Sequence, residues 1–202
     1  IASCLVGSGD VYKRQAYADQ LGQRPGAGAV YVNIFHYDVL EILDSKKVNA
    51  DEDIRLSTIS TGLIVPDKFF ELAKDNKQFY MFGPHSVYQE YGTELDDMNI
   101  SEMYDELVGN PNIYKKSMNA REMLNTIAQT QLQSGYPYLM FKDNANKVHP
   151  NSNIGQIKMS NLCTEIMQLQ ETSIINDYED NDEIKRDISC NLGSLNIVNV
   201  ME

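Results

Sequence analysis

Asn161, Cys163 and Glu165 place an amide, a thiol and a carboxylate at every second position of the stretch NLCTEI, with Leu162, Thr164 and Ile166 between them. A cysteine nucleophile needs a base or a cation beside it, because only the thiolate attacks. Glu165 works against that: a nearby carboxylate opposes a second negative charge and keeps a thiol protonated. The three histidines, His36, His85 and His149, have no catalytic spacing to Cys163, so a papain-like or zinc reading is poor. On composition alone, the bland reading is a buried cysteine acting as a small hydrophobe. One chemistry does suit a neutral thiol beside a carboxylate and an amide, namely hydrogen-atom transfer by a thiyl radical. The S–H bond exchanges hydrogen with an activated C–H, a carboxylate takes the proton of a substrate hydroxyl, and an amide holds a second hydroxyl. Such a site is shaped for a sugar.

Alternate side chains share a face only on an extended backbone, so the spacing predicts an extended segment over 161–166. A second motif, DISCNLGSLN at 187–196, places Cys190 at the end of a strand-like run, with Gly193 and Ser194 leading into an apolar helix start. It reads either as a turn with a buried cysteine or as a redox thiol at the mouth of a strand, where catalytic groups of α/β proteins gather.

The elements that must position these groups alternate. GAVYVN (28–33), STISTGLIVP (57–66), QFYMF (78–82) and PYLMF (137–141) read as strands. DVLEILDSK (38–46) has Val39, Leu40, Ile42 and Leu43 at helical spacing, and DKFFELAK (67–74) follows Pro66 as a helix that Asp67 can cap. After QFYMF and the GP that stops it, helices are expected to dominate to residue 134. The clearest starts at Asn119, where Asn119 and Glu122 have capping-box spacing, and Met123, Leu124, Ile127, Ala128 and Leu132 form one stripe. Gly135 ends it. Residues 142–160 read as an Asn-rich loop, and NDYEDNDE (176–183) as a solvated acidic loop. The expected fold class is α/β with mostly parallel strands.

Composition narrows the function classes. The 202 residues carry 29 acidic against 17 basic side chains, a formal net charge of -12, which argues against broad binding to nucleic acid or to an anionic membrane. No apolar run is long enough to cross a bilayer, and no secretory signal is evident. Three cysteines, Cys4, Cys163 and Cys190, without a CxxC pair point to reduced thiols in the cytoplasm rather than a disulfide framework or structural zinc.

MSNLCTEI and DISCNLGSLNI together resemble the large, catalytic subunit of ribonucleotide reductases, in particular the class Ib type, and GQRPGAGAVYVNIFH (22–36), SGYPYLMF (134–141) and KMSNLCTEI (158–166) fall in that family's order. The resemblance covers residues 16–202, leaving 1–15 as a tail without a match. It implies part of a ten-stranded α/β barrel with a radical cysteine on a central finger loop. It also implies reduction of ribonucleoside diphosphates to deoxyribonucleoside diphosphates. By position, Cys163 resembles the cysteine that becomes the thiyl radical, Glu165 the base for the ribose 3′-hydroxyl, and Asn161 the amide that binds the ribose hydroxyls. Ser160, Leu162 and Thr164 fall with them in the substrate-binding stretch. Cys190 resembles one of two thiols that reduce the 2′-carbon and become a disulfide. Its partner is expected upstream of residue 16, and Cys4 does not match it. Gln23 and Arg24, in QLGQRPGAG (20–28), resemble the loop through which an allosteric nucleoside triphosphate selects the substrate base.

The resemblance implies no cofactor or metal bound directly. A smaller metal-containing subunit supplies the radical, a thioredoxin- or glutaredoxin-like protein supplies reducing equivalents, and the large subunit pairs as a homodimer. With Ile1 at one end and a helix-like NIVNVME at the other, the sequence reads as an internal piece of a barrel, inactive in isolation. Two alternatives remain: a non-catalytic nucleotide-binding module derived from the barrel, and a cobalamin-dependent reductase of related fold.

Overall fold

The computed structural model describes residues 22, 26–50, 55–56, 59–176 and 181–201. In chain order its elements are β1 (Ala29–Asn33), α1 (Val39–Asp44), β2 (Ser60–Val65), α2 (Asp67–Lys74), β3 (Gln78–Phe82) and α3 (Pro84–Tyr91), then α4 (Ile100–Gly109), β4 (Lys115–Asn119), α5 (Ala120–Ser134), β5 (Tyr138–Phe141), α6 (Lys142–Val148) and α7 (Ile197–Val200). The β-branched run of β2 sits between β1 and β5, and all three strands are parallel. A buried middle strand accounts for its near-continuous apolar sequence. β3 and β4 form a separate antiparallel pair. The two sheets are tied where Phe82 N–H donates to Phe35 O at 2.7 Å and Tyr37 N–H to Phe82 O at 2.9 Å. This alternation of helices with a parallel sheet is the α/β class that the sequence predicts.

The pleat of the parallel sheet divides its side chains between two environments. Leu63, Val65 and the half-buried Leu139 face the main core, where Phe35, Phe69, Phe79, Phe82 and Tyr104 pack ring against ring. The opposite face carries Ile64 and Met140 against Ile157, with Tyr31 and Met167 beside them. On that face Tyr31 is in register with Gly62, and Gly62 with Tyr138. The candidate functional residues lie over this second face.

Several local expectations need correcting. Asp67 does not cap α2; Pro66 holds the N-cap position, and the Asp67 amide is taken from outside the helix by the Asp143 carboxylate at 2.7 Å. Ser101 Oγ joins the same cap, accepting from Lys68 N–H at 3.2 Å and donating to Asp143. Residues 142–160 are not all loop, because α6 occupies their first turns. Strand β4, entirely polar apart from Met118, interrupts the helical region. On α5, Met123 and Ile127 are buried as the stripe predicts, but Ala128 is exposed and Leu132 is 89% exposed, so the stripe stops a turn early. The start and end of α5 do follow the sequence. Asn119 accepts from the Arg121 and Glu122 amides, and Gly135 takes the left-handed conformation at φ +76° that closes a helix without steric cost.

Candidate active site

The stretch 161–165 is a turn, not the extended segment that the alternation predicts. Thr164 N–H donates to Asn161 O at 3.3 Å, and Thr164 sits at φ +68°. The reason is a local competition that period-two alternation cannot reveal: an asparagine side chain can bind nearby amides in place of a ladder partner. Asn161 Oδ1 accepts from Glu165 N–H at 3.2 Å and Ile166 N–H at 3.1 Å, and Ser160 Oγ donates to Ile166 O at 2.6 Å. The groups still gather, through a turn closed by Asn161 rather than through a shared strand face.

Ser160 is buried, Asn161, Leu162 and Thr164 are half-buried, and Cys163 and Glu165 are exposed. Both cysteines of the described region are free and exposed, so neither is the buried small hydrophobe that composition favours. Cys190 comes to the turn from the far arm of an irregular antiparallel ladder. Ser189 N–H donates to Gln168 Oε1 at 3.0 Å, Glu171 N–H to Arg186 O at 2.9 Å, and Ile174 and Glu183 exchange both backbone bonds. The Ser189–Gln168 bond leaves Cys190 beside the turn. There the Cys190 thiol donates to Glu165 Oε1 at 3.2 Å. The segment 184–196 is therefore irregular, and Cys190 does not end a strand.

Electrostatics follow from those contacts. Hydrogen bonding from Asn161, from its own amide and from Cys190 holds the Glu165 carboxyl below the usual carboxylate range. The same carboxylate, accepting from the thiol, pushes Cys190 above the ordinary thiol range. An ionised carboxylate thus faces a protonated thiol. From the sheet beneath, the Tyr31 hydroxyl reaches Asn161 O and Thr164 Oγ1, both at 2.6 Å. Tyr31, with Gly62 in register beside its ring, is the position touching the turn that sequence reasoning missed. The available signal was a phenol within the apolar run AVYV.

Gln23, Arg24 and Cys4 lie outside the described residues. Among the described residues, no group of three or more His, Cys, Asp or Glu is placed to hold a metal ion. No described helix is long and apolar enough to cross a membrane.

In this α/β chain a turn with a thiol, a carboxylate and an amide lies over a parallel sheet, and a second thiol is bonded to that carboxylate. The family follows from comparison. Residues 11–202 match the ribonucleotide reductase barrel domain, and the chain belongs to that family. It is 54% identical over 186 residues to the ribonucleoside-diphosphate reductase subunit alpha of Bacillus subtilis (strain 168), covering 92% of this chain. The corresponding subunit of Mycoplasma pneumoniae is 48% identical over 189 residues, and that of Helicobacter pylori 39% over 150. The chain spans 27% of the length of the B. subtilis protein and 26% of the M. pneumoniae one.

Proposed function

We propose that residues 16–202 are part of the catalytic barrel of a ribonucleoside-diphosphate reductase α subunit, acting on ribonucleoside diphosphates by thiyl-radical chemistry. The observation that carries the reading is the Cys190–Glu165 hydrogen bond, which brings a second thiol to the carboxylate beside Cys163. A thiyl radical at Cys163 takes the ribose 3′-hydrogen, becoming the thiol, while Glu165 accepts the 3′-hydroxyl proton and Asn161 holds a ribose hydroxyl. Cys190 and a second thiol then supply two electrons and two protons. The 2′-hydroxyl leaves as water, the thiols become a disulfide, Cys163 returns its hydrogen atom to the 3′-carbon and is again the thiyl radical, and Glu165 returns its proton to the 3′-oxygen. The exposed positions of Cys163, Glu165 and Cys190 suit a ligand that approaches from one side.

The subunit binds no metal of its own in this reading. It receives the radical from a small metal-containing subunit and electrons from a thioredoxin- or glutaredoxin-like protein. It pairs as a homodimer, responds to nucleoside triphosphates through Gln23 and Arg24, and works in the cytoplasm. The test is Cys190→Ser in the complete α subunit with its radical-generating partner. Loss of deoxynucleotide, with breakdown of the nucleotide in its place, is expected. Normal multiple turnover with a dithiol reductant removes Cys190 from the redox pair.

A further inference from the structure

Thr164 is a β-branched residue at φ +68°, between the proposed radical thiol and the proposed base. Side chains branched at Cβ rarely adopt that conformation, and such strain persists only where the surroundings over-determine it. Asn161 closes the turn from within, and one hydroxyl holds it from the sheet side. Tyr31 OH donates its single proton to Asn161 O at 2.6 Å, so the 2.6 Å contact with Thr164 Oγ1 has the threonine as donor. Burial, the leading cause, raises the Tyr31 pKa and keeps that proton in place. The two contacts fall on the first and fourth residues of the turn, so a single phenol closes it from below.

The ring can take that position because of the residue beside it in the sheet. Gly62 is in register with Tyr31, and a Cβ there would lie 2.4 Å from Tyr31 Cε1 and 2.5 Å from Cδ1. A rigid aromatic ring cannot absorb such an overlap. Gly62 is needed for space, not for backbone freedom.

We infer that Tyr31 is a positioning residue, a clamp from β1 that fixes the turn carrying Cys163 and Glu165, and that Gly62 is the notch that admits its ring. This rests on reading that turn as the reactive loop. Misplacing reacting groups by about 1 Å costs on the order of 10²-fold in rate, whereas substrate held by other groups need not bind less tightly. The clamp therefore acts on kcat more than on KM.

The test uses the complete α subunit carrying Tyr31→Phe, which keeps the ring and removes the hydroxyl. Expected are a kcat lower by about 10²-fold, a KM changed less than about twofold, and an unchanged melting temperature. Amide hydrogen exchange over residues 161–166 should quicken by about tenfold, the equivalent of one net hydrogen bond, while β2 and β5 keep their rates. Thr164→Val should resemble Tyr31→Phe and add little to it, and Thr164→Ser should restore the rate. Gly62→Ala should reproduce the kcat loss by displacing the ring. An unchanged kcat, or unchanged exchange at 161–166, overturns the inference. Faster exchange throughout β1, β2 and β5 with a lowered melting temperature also overturns it, because Tyr31 would then be a packing residue only. The exchange measurement needs no turnover, so a failure of the clamp stays distinguishable from a failure of the reductase reading, which the unsubstituted subunit tests.

Discussion

The two faces of the parallel sheet are held by different physics. On one, Phe35, Phe79 and Phe82 are fully buried, and rings meet at centroid distances such as 5.4 Å for Phe69–Phe79 and 5.5 Å for Phe35–Tyr104. Many small dispersion and hydrophobic gains add up there, and no single polar contact decides the arrangement. On the other face, Asn161, Glu165 and Cys190 are held by individual hydrogen bonds between half-exposed or exposed groups. Substitutions on the first face should therefore cost stability, and those on the second should cost chemistry at nearly constant stability.

The largest stability effect belongs to the aromatic core. Phe82→Ala should destabilise by about 3–5 kcal/mol, the usual scale for emptying a buried aromatic site, measured by urea unfolding. A cost below about 1 kcal/mol would show that the face is loosely packed and would blur the contrast.

Tyr104 comes next, and its effect depends on pH. Burial pushes its phenol up to about 12, and its oxygen accepts from Tyr80 N–H at 2.9 Å. Between pH 10 and 12 the unfolded chain has lost this proton while the folded chain still holds it, so stability must fall as pH rises through that window. The loss is on the order of 2 kcal/mol. Tyr104→Phe should flatten the alkaline decline, at a cost of about 1 kcal/mol near neutrality from the orphaned Tyr80 amide. An unaltered alkaline slope would assign the decline to other groups.

Smaller still is the cap of α5. Asn119→Ala should cost about 1 kcal/mol, because the Arg121 and Glu122 amides lose their acceptor. The effect should appear in thermal unfolding without a change at the turn.

Glu165→Gln should leave the melting temperature unmoved, since the side chain is exposed. It should slow turnover by on the order of 10²-fold, the scale for losing a general base. It should also bring the Cys190 pKa down toward the ordinary thiol range, because the accepting carboxylate that raises it is gone. Site-resolved alkylation of Cys190 against pH reads this directly. A Cys190 titration unchanged by Glu165→Gln would remove that carboxylate as its cause.

The sequence made one face more legible than the other. Period and punctuation located β1, β2, β3, β5, α2 and α5, because their apolar spacing is the same spacing that buries them. Strand β4 escaped because KKSMN is nearly all polar and its signal is its partner, β3. Helix α6 escaped for a similar reason: KDNANKV has little apolar stripe, and Lys142 is buried by donating to Asp96 O and Met98 O. At the site, the residue types of NLCTEI were readable but their geometry was not. The turn depends on the Asn161 side chain and on a tyrosine 130 residues earlier, and no local period records either.

In the proposed reading, Cys163 carries the reactive chemistry on a support that does not depend on it. Cys163→Ser in the complete α subunit, assembled with its radical-generating partner, tests this most directly. The account predicts an unchanged melting temperature, retained ribonucleoside diphosphate binding and no deoxynucleotide product, because an O–H bond is too strong to replace S–H in hydrogen-atom exchange. Deoxynucleotide formed by the serine variant would contradict it.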